Sequence, residues 1–206
     1  VRRFLDVITE GLDEKERDAL NQDCIEAFAE IDPASALKLT LELPNRPDLR
    51  NTLLRCIPVD PELAVKVFDQ LVSEDSPLIR DHQIIEECFA AQARIDPRTF
   101  VSRLLSPEGT RMTDDVRGGW SRELRTPQEH HAYLTALRIE GSSHAGTLRL
   151  ESLRSSFIST LRNEIPEWPV ADSIELIDAE FTTKEKQRVF NSLISMEDPV
   201  KLGQWA

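Results

Sequence analysis

The stretch Cys24 to Pro33, CIEAFAEIDP, returns as CFAAQARIDP at Cys88 to Pro97, with six of ten positions identical and a displacement of 64 residues. Repetition at a fixed displacement constrains a fold more than any single motif does. Each copy must find the same packing environment in its own unit, and the units must bury their apolar faces against one another. Such a chain reads as a stack of similar elements.

Asp-Pro pairs mark where those elements start. They occur at Asp32-Pro33, Asp60-Pro61, Asp96-Pro97 and Asp198-Pro199, and Thr126-Pro127 is a fifth start of the same kind. Aspartate or threonine accepts hydrogen bonds from the orphan amides of a helix, and proline fits its first turn. Asp96 and Asp198 lie 102 residues apart, or three units of 34, so one more start is expected near Pro166 to Pro169. A second ladder runs between these starts: Arg17, Arg50, Arg80, Arg117, Arg149 and Arg188, at intervals of 33, 30, 37, 32 and 39. Arg50 and Arg80 share a local frame, Pro47-Asp48-Leu49-Arg50 and Pro77-Leu78-Ile79-Arg80, each followed by helical apolar spacing.

Interleaved, the ladders predict paired helices. First helices fall near 33–43, 61–72, 97–105, 127–139, 170–181 and from 199; second helices fall near 12–31, 47–57, 76–95, 110–124, 146–165 and 183–196. No period-two run of β-branched residues signals a strand, and the twelve prolines sit almost wholly at predicted helix boundaries. The spacing from ladder arginine to the next start alternates between long and short, which predicts second helices of alternating length and a repeat unit of two hairpins.

Here the Pro-x-apolar-Arg opening of a second helix, with aspartate ending the preceding turn, resembles the HEAT repeat. In that family a turn aspartate and a second-helix arginine tie neighbouring repeats together. Two features depart from the pattern: Asp-Pro begins first helices, and Gln187 stands where an apolar residue would precede Arg188. The tetratricopeptide repeat shares the 34-residue period, but its Trp, Leu-Gly and Tyr pattern is missing. The resemblance implies an α-solenoid scaffold that binds macromolecules through a concave face. Helical-repeat glycosylases and cofactor lyases exist in the same family, so an enzyme or a nucleic-acid-binding array is the alternative, with a structural stalk of a larger protein as a third.

Composition narrows the partner. The net charge of −12, from 37 acidic and 25 basic residues, disfavours phosphate backbones and anionic membranes and favours a protein partner. No run of 18 apolar residues would span a membrane. Cys24, Cys56 and Cys88 are spaced 32 apart and read as one core position of successive units, too far apart for disulfides. Unpaired thiols lean towards a reducing compartment such as the cytoplasm. The start at Val1 and the end just after Asp198-Pro199 read as those of a segment cut from a longer chain.

No cofactor fingerprint and no catalytic motif is present. His82, His130, His131 and His144 lack metal-ligand spacing, and adjacent His130 and His131 point to different sides of a helix. Asp114-Asp115 reads as a solvated turn, and Gly141-Ser142-Ser143-His144 as a polar loop between helices. The least repetitive segment, SPEGTRMTDDVRGGWSR at 106–122, offers Arg111, Arg117, Trp120 and Arg122 as a partner-binding patch, since Trp and Arg dominate interface hot spots; the other reading of Trp120 is a core slot beside small residues. The ladder arginines are expected to pair internally with Asp32, Asp60, Asp96 or a neighbouring acid rather than to line a binding face. The expected whole is all-α: a single array over 1–206, coiled as a right-handed α-solenoid of five to six antiparallel hairpins, non-enzymatic and without cofactor or metal.

Overall fold

The computed structural model describes Leu5 and residues 7–107, 109, 121, 124–142 and 148–194. The described residues are helical, with no strand among them. By packing, the chain divides into two compact units, Val1–Ile95 and Asp96–Ala206.

Unit 1 holds α1 (Glu14–Ile31), α2 (Pro33–Glu42), α3 (Leu49–Cys56), α4 (Pro61–Ser73), a 3-10 turn (Pro77–Arg80) and α5 (His82–Ile95). Two of the Asp-Pro starts open α2 and α4. Asp32 accepts from the Ser35 amide at 3.0 Å and Asp60 from the Leu63 amide at 3.0 Å, with proline inside the first turn. Backbone angles at the two aspartates agree closely, φ −141° and ψ 82° against φ −140° and ψ 77°. Adjacent helices pack as α2 on α3 and α4 on α5, while α3 lies against both α1 and α5. The interior is apolar: Ile25, Leu37, Leu53, Phe68, Leu71, Ile84 and Phe89 are sealed from solvent, and Phe68 meets Phe89 edge-on at 6.0 Å.

Unit 2 holds α6 (Pro97–Leu105), α7 (Pro127–Ser142), α8 (Leu148–Glu164), a 3-10 turn (Ile165–Glu167), α9 (Val170–Glu180) and α10 (Thr183–Ile194). Asp96 repeats the cap at φ −144° and ψ 83°, accepting from the Thr99 amide at 3.1 Å. At Thr126 the device is reciprocal: its hydroxyl accepts from the Glu129 amide, and the Glu129 carboxylate accepts from the Thr126 amide. Here α6 packs on α7, α7 on α9 and α8, and α8 on α10. Phe100, Leu104, Tyr133, Leu134, Phe157, Leu161 and Leu176 form the core.

The predicted starts at 33, 61, 97, 127 and 170 coincide with observed helices. The described second helices, α1, α3, α5, α8 and α10, run 18, 8, 14, 17 and 12 residues, so they are not uniform: α3 and α10 are shorter than α1, α5 and α8, as the arginine spacing predicts for these five. The helix expected over most of 110–124 and the start at Asp198-Pro199 lie outside the described residues. One local expectation is corrected. The Pro47 and Pro77 frames are not equivalent, because Arg50 stands in the first turn of α3 whereas Arg80 closes a 3-10 turn ahead of α5. Asp81 caps α5 through the Ile84 amide at 3.1 Å, which delays that helix by one turn.

Candidate functional site

Arg111, Arg117, Trp120 and Arg122 lie outside the described residues, as do Asp114, Asp115 and His144. The described rungs of the arginine ladder do not share one structural position. Arg50 donates to Asp81 at 2.7 Å and to Gln83 at 3.0 Å, joining α3 to the start of the next second helix. The Arg50 guanidinium beside Asp81 holds that carboxyl below its usual range. Of the partners expected from sequence, Asp32, Asp60, Asp96 or a neighbouring acid, Arg50 takes the last: Asp81, which caps its own helix and accepts from Arg50 at once. Arg188 behaves differently. It is exposed on α10, and no described carboxylate lies within ion-pair reach.

Arg188 stands in a groove between α8 and α10. Thr182 and Glu185 form a reciprocal cap at the head of α10: the Thr182 hydroxyl accepts from the Glu185 amide, and Glu185 accepts from the Thr182 amide at 2.7 Å. That cap fixes Glu185 where Arg154 of α8 can reach it with both prongs, Nε at 3.1 Å and Nη2 at 3.0 Å. Arg154 also donates to the Glu180 carbonyl at the end of α9. Burial pushes the Glu185 carboxyl up, but the hydrogen bonds from Arg154 and Thr182 outweigh it and hold Glu185 below the usual range. A two-pronged guanidinium–carboxylate contact fixes orientation as well as distance. The Arg154–Glu185 clasp therefore holds the two helices at a set separation.

Above the clasp the groove encloses about 460 Å³. Its floor is apolar, Ile158 and Val189, both buried. Lys184 and Arg188 rise from α10 one turn apart, so they share a face, and Ser155 and Ser159 stand one turn apart on α8. Both cations are exposed and have no hydrogen-bonding or ion-pair partner among the described residues. In all, three cations and two carboxylates, Glu151 and Glu185, line this groove in a chain of net charge −12. The neighbouring cleft between α7 and α9 differs in sign, with His131 opposed to Asp172 and Glu175.

Unit 2 also buries two polar links. The Glu180 carboxylate, 1 % exposed, accepts from Thr135 at 2.7 Å and from Arg138 at 3.4 Å, and His131 lies 3.8 Å away. His130, also 1 % exposed, packs 4.8 Å from Trp168 and directs Nδ1 at the Thr126 carbonyl, 2.7 Å away. A carbonyl can only accept, so Nδ1 carries a proton. Nε2 meets the Glu164 carboxyl at 3.1 Å. Burial pushes His130 down and Glu164 up, so the buried contact favours the uncharged form of each group. His130 and His131 do face opposite ways, as their adjacency predicts: one is sealed and the other is 40 % exposed. Sequence periodicity could have found His130, because it shares an apolar face with Tyr133, Leu134 and Leu137 at helical spacing. No such signal marks Glu180.

Cys56 and Cys88 are buried and Cys24 half-buried, all as free thiols, and burial pushes Cys56 up to about 11. A thiol so shifted is inert at neutral pH. No group of three or more metal-ligating side chains gathers among the described residues, and no described helix is long and apolar enough to cross a membrane. Comparison with protein-family models, curated proteins and solved structures returns no match.

Proposed function

We propose that this chain is a non-enzymatic helical-repeat scaffold, an α-solenoid of antiparallel hairpins akin to HEAT repeats, that binds a protein partner across the face of its second helices. The observation that carries the reading is the α8–α10 groove: two second helices joined by the Arg154–Glu185 clasp, with two further cations, Lys184 and Arg188, that no described carboxylate engages. Second helices pack on one another in order, α1 on α3, α3 on α5 and α8 on α10, which is the neighbour-to-neighbour contact a repeat array requires. Arg111, Arg117, Trp120 and Arg122 are a second proposed contact, resting on their residue types. The acidic balance of the chain sets nucleic acid aside.

Capture from nuclease-treated source-cell extract tests the reading, with the Arg111→Ala/Arg117→Ala/Trp120→Ala chain as control for the second contact. The scaffold reading expects a stoichiometric protein partner. Retention of nucleic acid alone in untreated extract, with a steep negative salt slope, would put the array among nucleic-acid binders.

A further inference from the structure

The chemistry of the α8–α10 groove says what kind of segment it would hold. Building on the scaffold reading above, we infer that this groove binds an acidic segment of a partner protein, by gripping two anionic side chains with Lys184 and Arg188.

Acidic residues outnumber basic ones in this chain, 37 to 25, and several arginines are engaged by carboxylates: Arg46 by Glu74, Arg50 by Asp81, Arg98 by Glu140 and, in the groove itself, Arg154 by Glu185. Lys184 and Arg188 escape, although Glu151 lines the same groove, because it does not come within ion-pair distance of either. Two cations one helical turn apart present Cβ atoms about 6 Å from each other. That separation matches two acidic side chains four apart on a helix, or two apart on an extended strand. The Arg188 guanidinium can meet a carboxylate or a phosphoryl group with two parallel N–H donors, while Lys184 acts as a point charge. Opposite them the hydroxyls of Ser155 and Ser159 add donors, and Ile158 with Val189 gives a floor for an apolar residue lying between the two acids.

The groove also tells a short acidic segment from a continuous polyanion. A nucleic-acid strand carries a charge at every step, and its phosphates would run against the Glu151 and Glu185 carboxylates on the same walls. A segment with two local charges meets only the cations. Since the Arg154–Glu185 clasp sets the width before anything binds, little ordering is left for the moment of association.

The test is fluorescence anisotropy with the whole chain and labelled synthetic peptides carrying two glutamates four residues apart, two phosphoserines at the same positions, or two glutamines. A single-stranded oligonucleotide is the fourth probe. The anionic peptides bind, the glutamine peptide does not, and Lys184→Glu/Arg188→Glu weakens binding by about tenfold or more, its far-UV circular dichroism unchanged. The glutamate and phosphoserine arms decide between the two sources of negative charge. Equal binding of the anionic peptides to the double variant, binding of none of them, or tighter binding of the oligonucleotide through the same residues overturns the proposal. Failure here with a protein partner still captured from extract removes the groove and leaves the scaffold. No captured partner, with the peptides bound, removes the scaffold instead.

Discussion

Unit 1 and unit 2 use the same aspartate cap to start helices, yet they seal different things inside. In unit 1 the sealed ionisable groups are thiols, Cys56 and Cys88, the first of which burial keeps protonated, and around them the interior is Leu, Ile, Val, Ala and Phe with the uncharged polar side chains of Thr9, Asn21, Thr40, Thr52 and Gln92. Unit 2 buries His130 and Glu180 outright and half-buries Glu164. Apolar rungs are interchangeable between positions if volume is kept, which suits a framework made by repetition. Buried polar links are not interchangeable, since each needs its own partner at its own distance. The contrast teaches where the repeat was followed and where it was abandoned. The abandoned part carries the groove with unengaged cations, and departures from local rules gather at functional sites.

If unit 1 is held by apolar contact, the largest loss comes from its aromatic pair. Phe89→Ala removes the edge-on partner of Phe68 and should cost about 3–5 kcal/mol in urea unfolding followed by circular dichroism. A cost below about 1 kcal/mol would break the comparison at its apolar end, because surface changes are of that size. In unit 2, Glu180→Ala strips the acceptor from Thr135 and Arg138, and about 1–3 kcal/mol should be lost by the same measurement.

The third prediction concerns pH. Glu164 is raised by burial, so the stability it lends is fully present below its unfolded value of about 4.3 and is lost as pH rises through its folded value. Glu164→Gln can offer Nε2 of His130 an amide N–H that needs no titrating proton. The stability of the natural chain relative to Glu164→Gln should therefore fall as pH rises from about 4 through the raised folded value in melting curves, and a constant difference would remove the titration of Glu164 from the account. The smallest effect is a cap. Asp60→Ala leaves the Leu63 amide without its acceptor and should cost about 1 kcal/mol.

The helix starts were legible because cap chemistry is local: Asp, Pro and the amide three residues on lie within one turn, and three aspartates reproduce the same backbone angles to within a few degrees. Second-helix lengths were legible from the spacing of Arg17, Arg50, Arg80 and their successors. Partners were not. Arg50 pairs with Asp81 rather than with Asp60, although both aspartates cap helices, because the packed arrangement brings residue 81 within reach. The structure holds an arginine–aspartate tie at Arg50 and an arginine–glutamate one at Arg154, a residue outside the arginine ladder. Arg188 was expected to be paired, and its exposure beside Lys184 follows from the groove rather than from any motif. Glu180 reads in sequence like any surface glutamate, and its burial is a property of the α7–α9 contact.

Hydrogen exchange of the whole chain, with and without the doubly glutamate-bearing peptide, tests the central claim most directly. The account predicts that added protection falls on α8 and the head of α10, around residues 151–159 and 182–189, and leaves the amides of unit 1 unchanged. Protection centred on α1, α3 or α5 would place the working surface in unit 1 and contradict the division of labour drawn between the two units.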